Sequence, residues 1–212
     1  VIATGGVGIA GDHFDMAIFK RALLPWFGRD VRWGAQQLAL PTYLLDALGD
    51  WQNIPMLSNA ETLGFIRQAQ RDCSEPIRLL ALEELIAKGY GYDLYEQVEQ
   101  GKVALSERAF TVLAYEAGAI DVWQPFTRPQ FEAAIAPERS AIAELVSETL
   151  ARAQMPAARI DHVVRTGGSS SIPCFVDLLS GIFGRDKIVI EDLFTGVASG
   201  LALRARQLGL AA

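Results

Sequence analysis

Residues 160–183 constrain the fold more than any other stretch. Ile160, Val163 and Val164 mark residues 160–166 as a short buried strand, and Thr166-Gly167-Gly168-Ser169-Ser170-Ser171 follows. Ile172, Phe175, Val176, Leu179, Ile182 and Phe183 then recur at three- and four-residue steps, so a helix follows the turn. Glycine lets a ligand approach the backbone with no Cβ in the way. A helix start offers N–H groups with no partner inside the helix. The same order opens the chain. Residues 1–4 read as a strand and Gly5, Gly6, Gly8 and Gly11 as turns. Phe14, Ala17, Ile18, Ala22 and Leu23 then form a helix that Asp12 would cap and Trp26-Phe27-Gly28 would end. A further strand at 187–190 and a helix at 196–208 complete strand–helix–strand with short links. That pattern implies parallel strands, a right-handed crossover and an α/β layer.

The middle of the chain reads differently. Residues 41–48, 59–71 and 76–107 have helical patterns, and Gly89 and Gly91 bend or interrupt the last of them. Residues 30–88 carry almost no strand signal. Strand character returns at 109–115 and 119–123 around Glu116-Ala117-Gly118, a hairpin. Thr127 reads as a cap, with Pro129 in the first turn of a helix that breaks near Pro137 and runs to about Gln154. The expected organisation is therefore an α/β part, residues 1–29 and 107–212, and a helix-rich insertion, residues 30–106, with its own small core.

The net charge of −6 argues against non-specific nucleic-acid binding and against an anionic membrane surface, and no apolar run approaches the ~20 residues of a membrane span. Two cysteines, Cys73 and Cys174, are too few for a disulfide framework, and the expected compartment is the cytoplasm. The chain starts at Val1 with no visible signal peptide and reads as a piece of something longer. His13 and His162 have no ligand-spaced neighbours, so no metal site is expected. The three serines lack a Gly-x-Ser-x-Gly elbow, which argues against a hydrolase nucleophile. Trp26, Trp33, Trp51 and Trp123 read as packing residues.

One further group stands out. In a helix, Glu99, Lys102 and Ser106 sit at i, i+3 and i+7 on one face. Such a face supplies an acceptor, a cation and a hydroxyl to ribose and a purine edge. It is equally a solvated face with a local Glu–Lys pair worth about a few tenths of a kcal/mol.

The motifs gain weight in their order: Ala3-Thr4-Gly5-Gly6, Ala10-Gly11-Asp12-His13-Phe14-Asp15, Glu99-Gln100-Gly101-Lys102-Val103-Ala104-Leu105-Ser106, Thr127-Arg128-Pro129, Thr166-Gly167-Gly168-Ser169-Ser170-Ser171-Ile172-Pro173 and Gly196-Val197-Ala198-Ser199-Gly200. This series resembles the second half of the ATPase domain of DnaK-type heat-shock chaperones, within the actin and sugar-kinase superfamily, and is most similar to the YegD-like branch. The resemblance covers essentially the whole chain. It implies a ribonuclease-H-like, actin-like ATPase lobe, a mixed sheet with flanking helices, plus the helix-rich insertion. It also implies ATP or ADP as ligand, with magnesium held only together with a first lobe this chain lacks. The implied partners are that N-terminal lobe and client or co-chaperone proteins.

Carried over by position, Gly167 and Gly168 would admit the nucleoside and α-phosphate, Ser169 would add a polar contact and Ile172 would pack near the base. Glu99 would accept from ribose, Lys102 would lie along ribose and base, and Ser106 would meet the adenine edge. Gly11 and Asp12 would flank the phosphates. This chain departs from the family in places. Asp12 replaces a Glu and Ala10 a Gly, Val103 and Ser171 replace two arginines, and the acidic residue expected near Phe194 is missing or shifted to Asp192. An arginine stacked on a base contributes about 1 kcal/mol. No Asp-x-Gly-Thr phosphate loop is present, so no catalytic residue is assigned and the chain alone is expected not to hydrolyse ATP. The alternative is a module that keeps the fold for interaction or scaffolding, with weak or no nucleotide binding.

Overall fold

The computed structural model describes residues 1–190 and 196–209; Asp192 and Phe194 lie outside them. The chain divides into two compact units, Asp12–Ile135 and the combination of Val1–Gly11 with Ala136–Ala212. The sequence reading draws its boundaries at 29/30 and 106/107, whereas residues 12–29 and 107–135 fold with the helix-rich block.

The helical unit begins with α1 (Gly11–Ile18), which continues into a π-helical turn, Phe19–Leu23, and a 3-10 turn, Leu24–Phe27. Gly28 ends it at φ 94, a left-handed conformation that glycine adopts at little cost. Asp12 is not the cap: helical geometry starts at Gly11, which puts Asp12 in the first turn. A hairpin of two-residue strands, β1 (Arg32–Trp33) with β2 (Leu38–Ala39), lies in the block that carries almost no strand signal. Strands of two residues leave no alternation to read.

Helices α2 (Thr42–Ala47), α3 (Ala60–Gln70), α4 (Pro76–Ala87) and α5 (Gly91–Glu107) follow. Asn59 caps α3 by accepting from the Thr62 N–H at 2.9 Å. Gly89, at φ 73, separates α4 from α5. The antiparallel hairpin β3 (Phe110–Ala117) and β4 (Ile120–Thr127) turns at Gly118, φ 57. Glu84 of α4 accepts the Ala119 N–H at 2.6 Å and so ties this turn to the helices. Thr127 and Gln130 form a capping box at the start of α6 (Arg128–Ala134).

The core of this unit joins elements distant in sequence. Ile18, Phe19 and Phe27 are fully buried with Leu79, Leu82, Leu85, Val98 and Leu105. Phe19 stacks on Tyr95 at 5.0 Å and on Phe27 at 5.9 Å. Alternate hairpin residues, Leu113, Ile120, Val122 and Phe126, close the core from the sheet side.

The α/β unit opens without a strand. Residues 1–10 form no ladder among the described residues, so the strand expected at 1–4 is absent. A strand exists through its pairing, which local composition does not supply. Helix α7 (Ala136–Arg152) is separate from α6, and the break expected near Pro137 falls at Ile135. Pro137 sits in the first turn of α7, where its missing N–H costs little. Strands β5 (Val163–Arg165) and β6 (Ile188–Ile190) pair in parallel across α8 (Pro173–Phe183), as the strand–helix–strand pattern predicts. Helix α9 (Gly196–Gln207) follows. Cys73 and Cys174 are free thiols, and no helix among the described residues is long and apolar enough to cross a membrane.

Candidate functional site

Two groups of expected site residues fall in different units. In the helical unit, Glu99, Lys102 and Ser106 all lie on α5. Glu99 is exposed and Ser106 half-buried, but Lys102 is only 9% exposed. Its Nζ donates to Asp15 Oδ2 at 2.7 Å, joining α5 to α1 across 87 residues. The local Glu99–Lys102 pairing that helical spacing offers is therefore overridden by a tertiary ion pair. Ser106 Oγ donates back to the Lys102 carbonyl at 3.2 Å, which leaves its lone pairs as acceptors. Val103, at the position of an expected arginine, is 56% exposed.

Asp15 is itself buried, and its Oδ1 has no hydrogen-bond partner. Burial raises its pKa, with Glu99 and Asp12 adding to the rise, while the Lys102 hydrogen bond and charge oppose it. Asp15 lines a cleft of about 490 Å³ between the start of α1, residues 50–52 and the first half of α5. Asp12, Asp50, Glu96 and Glu99 line the same cleft, so its charge is strongly negative. Gly11 and Asp12 stand at the N-terminus of α1, and Asp12 faces this acidic wall.

In the α/β unit, the Gly-rich turn has defined geometry. Gly167 has φ 81, and nothing lies within 4 Å of where a Cβ would stand. The space above the backbone is open there. Residues Gly168–Ser171 form a 3-10 turn that leads into α8. Ser170 closes the turn twice onto the Gly167 carbonyl, through its N–H at 3.0 Å and its hydroxyl at 2.7 Å. Ser169 is half-buried, whereas Ile172 is 1% exposed and packs inside the unit.

The first-turn donors expected of α8 are largely absent. Pro173 has no N–H, and the Phe175 N–H is engaged by the Ile172 carbonyl at 3.0 Å. What a ligand meets is the glycine backbone of the turn rather than the end of a helix.

Two residues were missed by the sequence reading. Asp15 was quoted only within a motif, and nothing local says that it pairs with Lys102. Arg165 is the second. It is 6% exposed, its guanidinium donates through Nη1 to the Ser170 carbonyl, and its Nε has no partner. A buried cation thus supports the Gly turn from the strand side. The signal was available: an arginine sits within the short apolar strand Val163-Val164-Arg165. Among the described residues, no three His, Cys, Asp or Glu side chains are grouped to hold a metal ion.

Comparison with curated proteins returned no match. A family model described as Hsp70 protein matches residues 90–209, which include the α5 face, the hairpin, the Gly-rich turn and α9. That span is more than half of the 212 residues, and its order of elements is the one the motifs lead to: the chain belongs to the Hsp70 protein family, with its actin-like α/β fold.

Proposed function

We propose that this chain is the nucleotide-gripping lobe of a chaperone-type, actin-fold ATPase of the YegD-like branch, acting in the cytoplasm. It holds the adenosine side of ATP or ADP. The Gly-rich turn carries the reading: a strand delivers Gly167 and Gly168 to a point where the backbone is bare and the space above Gly167 is open. Gly167 and Gly168 admit the nucleoside, and Ser169 adds a polar contact. Ile172 supports the turn from within the core. On α5, Glu99 accepts from ribose hydroxyls and Ser106 accepts at the adenine edge. Lys102, fixed by Asp15, holds that face in register. Gly11 and Asp12 lie toward the phosphate side.

Bound nucleotide supplies the phosphoanhydride that the parent ATPase would cleave. The residues of this chain bind and orient the nucleoside. On this reading the donor set for magnesium is supplied together with the N-terminal lobe. Client and co-chaperone proteins are the partners the family suggests.

Calorimetric titration with ADP and ATP tests the reading. Saturable binding that Gly168→Val abolishes, in a variant with unchanged circular dichroism, supports it. No binding heat from either nucleotide moves the chain to the scaffold reading. A phosphate-release assay on the chain alone is expected to show no turnover; steady release would contradict the assignment of the chemistry to another lobe.

A further inference from the structure

The acidic cleft of the helical unit does a different job from the nucleoside grip. Its walls combine carboxylates with aromatic faces. Asp12, Asp15, Asp50, Glu96 and Glu99 line it together with Trp51, Tyr92 and Tyr95. His13 also faces it, and Lys102 is the cation held by Asp15. A volume of about 490 Å³ is in the range of small-molecule sites.

Two features make this a built site rather than a solvated acidic patch. Asp15 lines the cleft but is only 7% exposed; its Oδ2 is spent on Lys102, and its buried Oδ1 has no partner. A buried carboxylate oxygen without a donor is costly, and a ligand N–H would satisfy it. Trp51 and Tyr92 meet edge to face, with centroids 5.4 Å apart, beside Glu96. Aromatic faces next to carboxylates attract an organic cation through the ring quadrupole as well as through charge. The carboxylates are not grouped to hold a metal ion.

We infer that this cleft binds an organic cation through an ammonium or guanidinium group, which donates to Asp15 Oδ1 and lies against Trp51 and Tyr92. The group belongs either to a free polyamine or to a basic side chain of another protein. Asp12 and Glu99 belong both to this cleft and to the proposed nucleotide site, so they do not separate the two; Glu96 and Trp51 do.

The experiment is a calorimetric titration of the full 212-residue chain, without nucleotide and at low ionic strength. One arm uses spermidine and the other a short, end-capped peptide carrying one arginine. The absence of nucleotide makes the result independent of the adenosine grip. Saturable binding of spermidine alone assigns a free amine, and saturable binding of the peptide assigns a protein's basic side chain; either supports the site. Trp51→Ala is expected to weaken binding about 2- to 5-fold. Glu96→Gln is expected to weaken it by a similar factor of about 2 to 5. Asp15→Asn is expected to weaken it about tenfold or more, judged only if circular dichroism shows the variant folded; the Trp51 and Glu96 variants carry the test otherwise. The inference is overturned if neither ligand binds saturably, if both of those variants bind as the parent does, or if magnesium chloride gives the same isotherm.

Discussion

The helical unit and the α/β unit are stabilised in different ways. In Asp12–Ile135, large side chains from six helices and a hairpin are wholly buried, among them Phe19, Phe27, Leu44, Leu79, Leu82 and Phe131. In the other unit, the buried apolar side chains among the described residues are Ile172, Cys174 and Phe175, and α7 buries none. Leu201 and Leu203 of α9 are 67% and 62% exposed. The α5 face is therefore set by a deep core and a buried ion pair. The Gly-rich turn is set by local polar contacts: Ser170 on Gly167, and Arg165 on Ser170. Packing holds the α5 face, and a few hydrogen bonds shape the Gly-rich turn. Regions with few buried contacts open locally at lower cost.

Breaking the ion pair gives the largest effect. Lys102→Ala leaves Asp15 buried and unpaired, and the helical unit is expected to lose about 3–5 kcal/mol in urea unfolding. A loss below about 1 kcal/mol, the level of an exposed pair, would show that the pair is solvated and the contrast overstated. Truncating one leucine in each unit comes next. Leu82→Ala, on α4 with 0% exposure, is expected to cost about 2–5 kcal/mol. Leu145→Ala on α7, half-buried, is expected to cost about 1 kcal/mol. Equal losses would erase the difference between the units.

The smallest effect is a pH dependence within the helical unit. Glu83 is partly buried, which alone would raise its pKa, but hydrogen bonds from Arg67 and Gln70 and the Arg67 charge outweigh this and lower it. Its contribution is present above the usual glutamate value and is lost as pH falls through the lowered one. Asp15, with a raised pKa, acts in the opposite direction: folding loses stability as pH rises from the ordinary aspartate value through the raised one. Glu83→Gln should therefore flatten the acid side of a stability–pH curve, and Asp15→Asn should remove the loss of stability that follows as pH rises above the ordinary aspartate value. Urea midpoints between about pH 3 and pH 6 read both.

The sequence was legible where structure is local. Thr127 caps a helix as its residue type suggests, Gly118 turns a hairpin, and the Val163 and Ile188 strands pair in parallel across α8. It failed where structure depends on distant partners. Residues 1–4 have strand composition but no pairing among the described residues. The π-helical turn at Phe19–Leu23 buries the same apolar stripe as an α-helix, so periodicity does not distinguish the two. At the site, the α5 face and the Gly turn were legible as motifs. The partner of Lys102 lies 87 residues away, and Arg165 was hidden by reading its strand as uniformly apolar.

The most direct test of the nucleoside grip is an amide-resolved NMR titration of the chain with ADP. The account predicts that amides of residues 99–106 and of residues 167–172 shift together, along one binding curve with a single dissociation constant. Shifts confined to one stretch, or absent from both at saturating ADP, would contradict it.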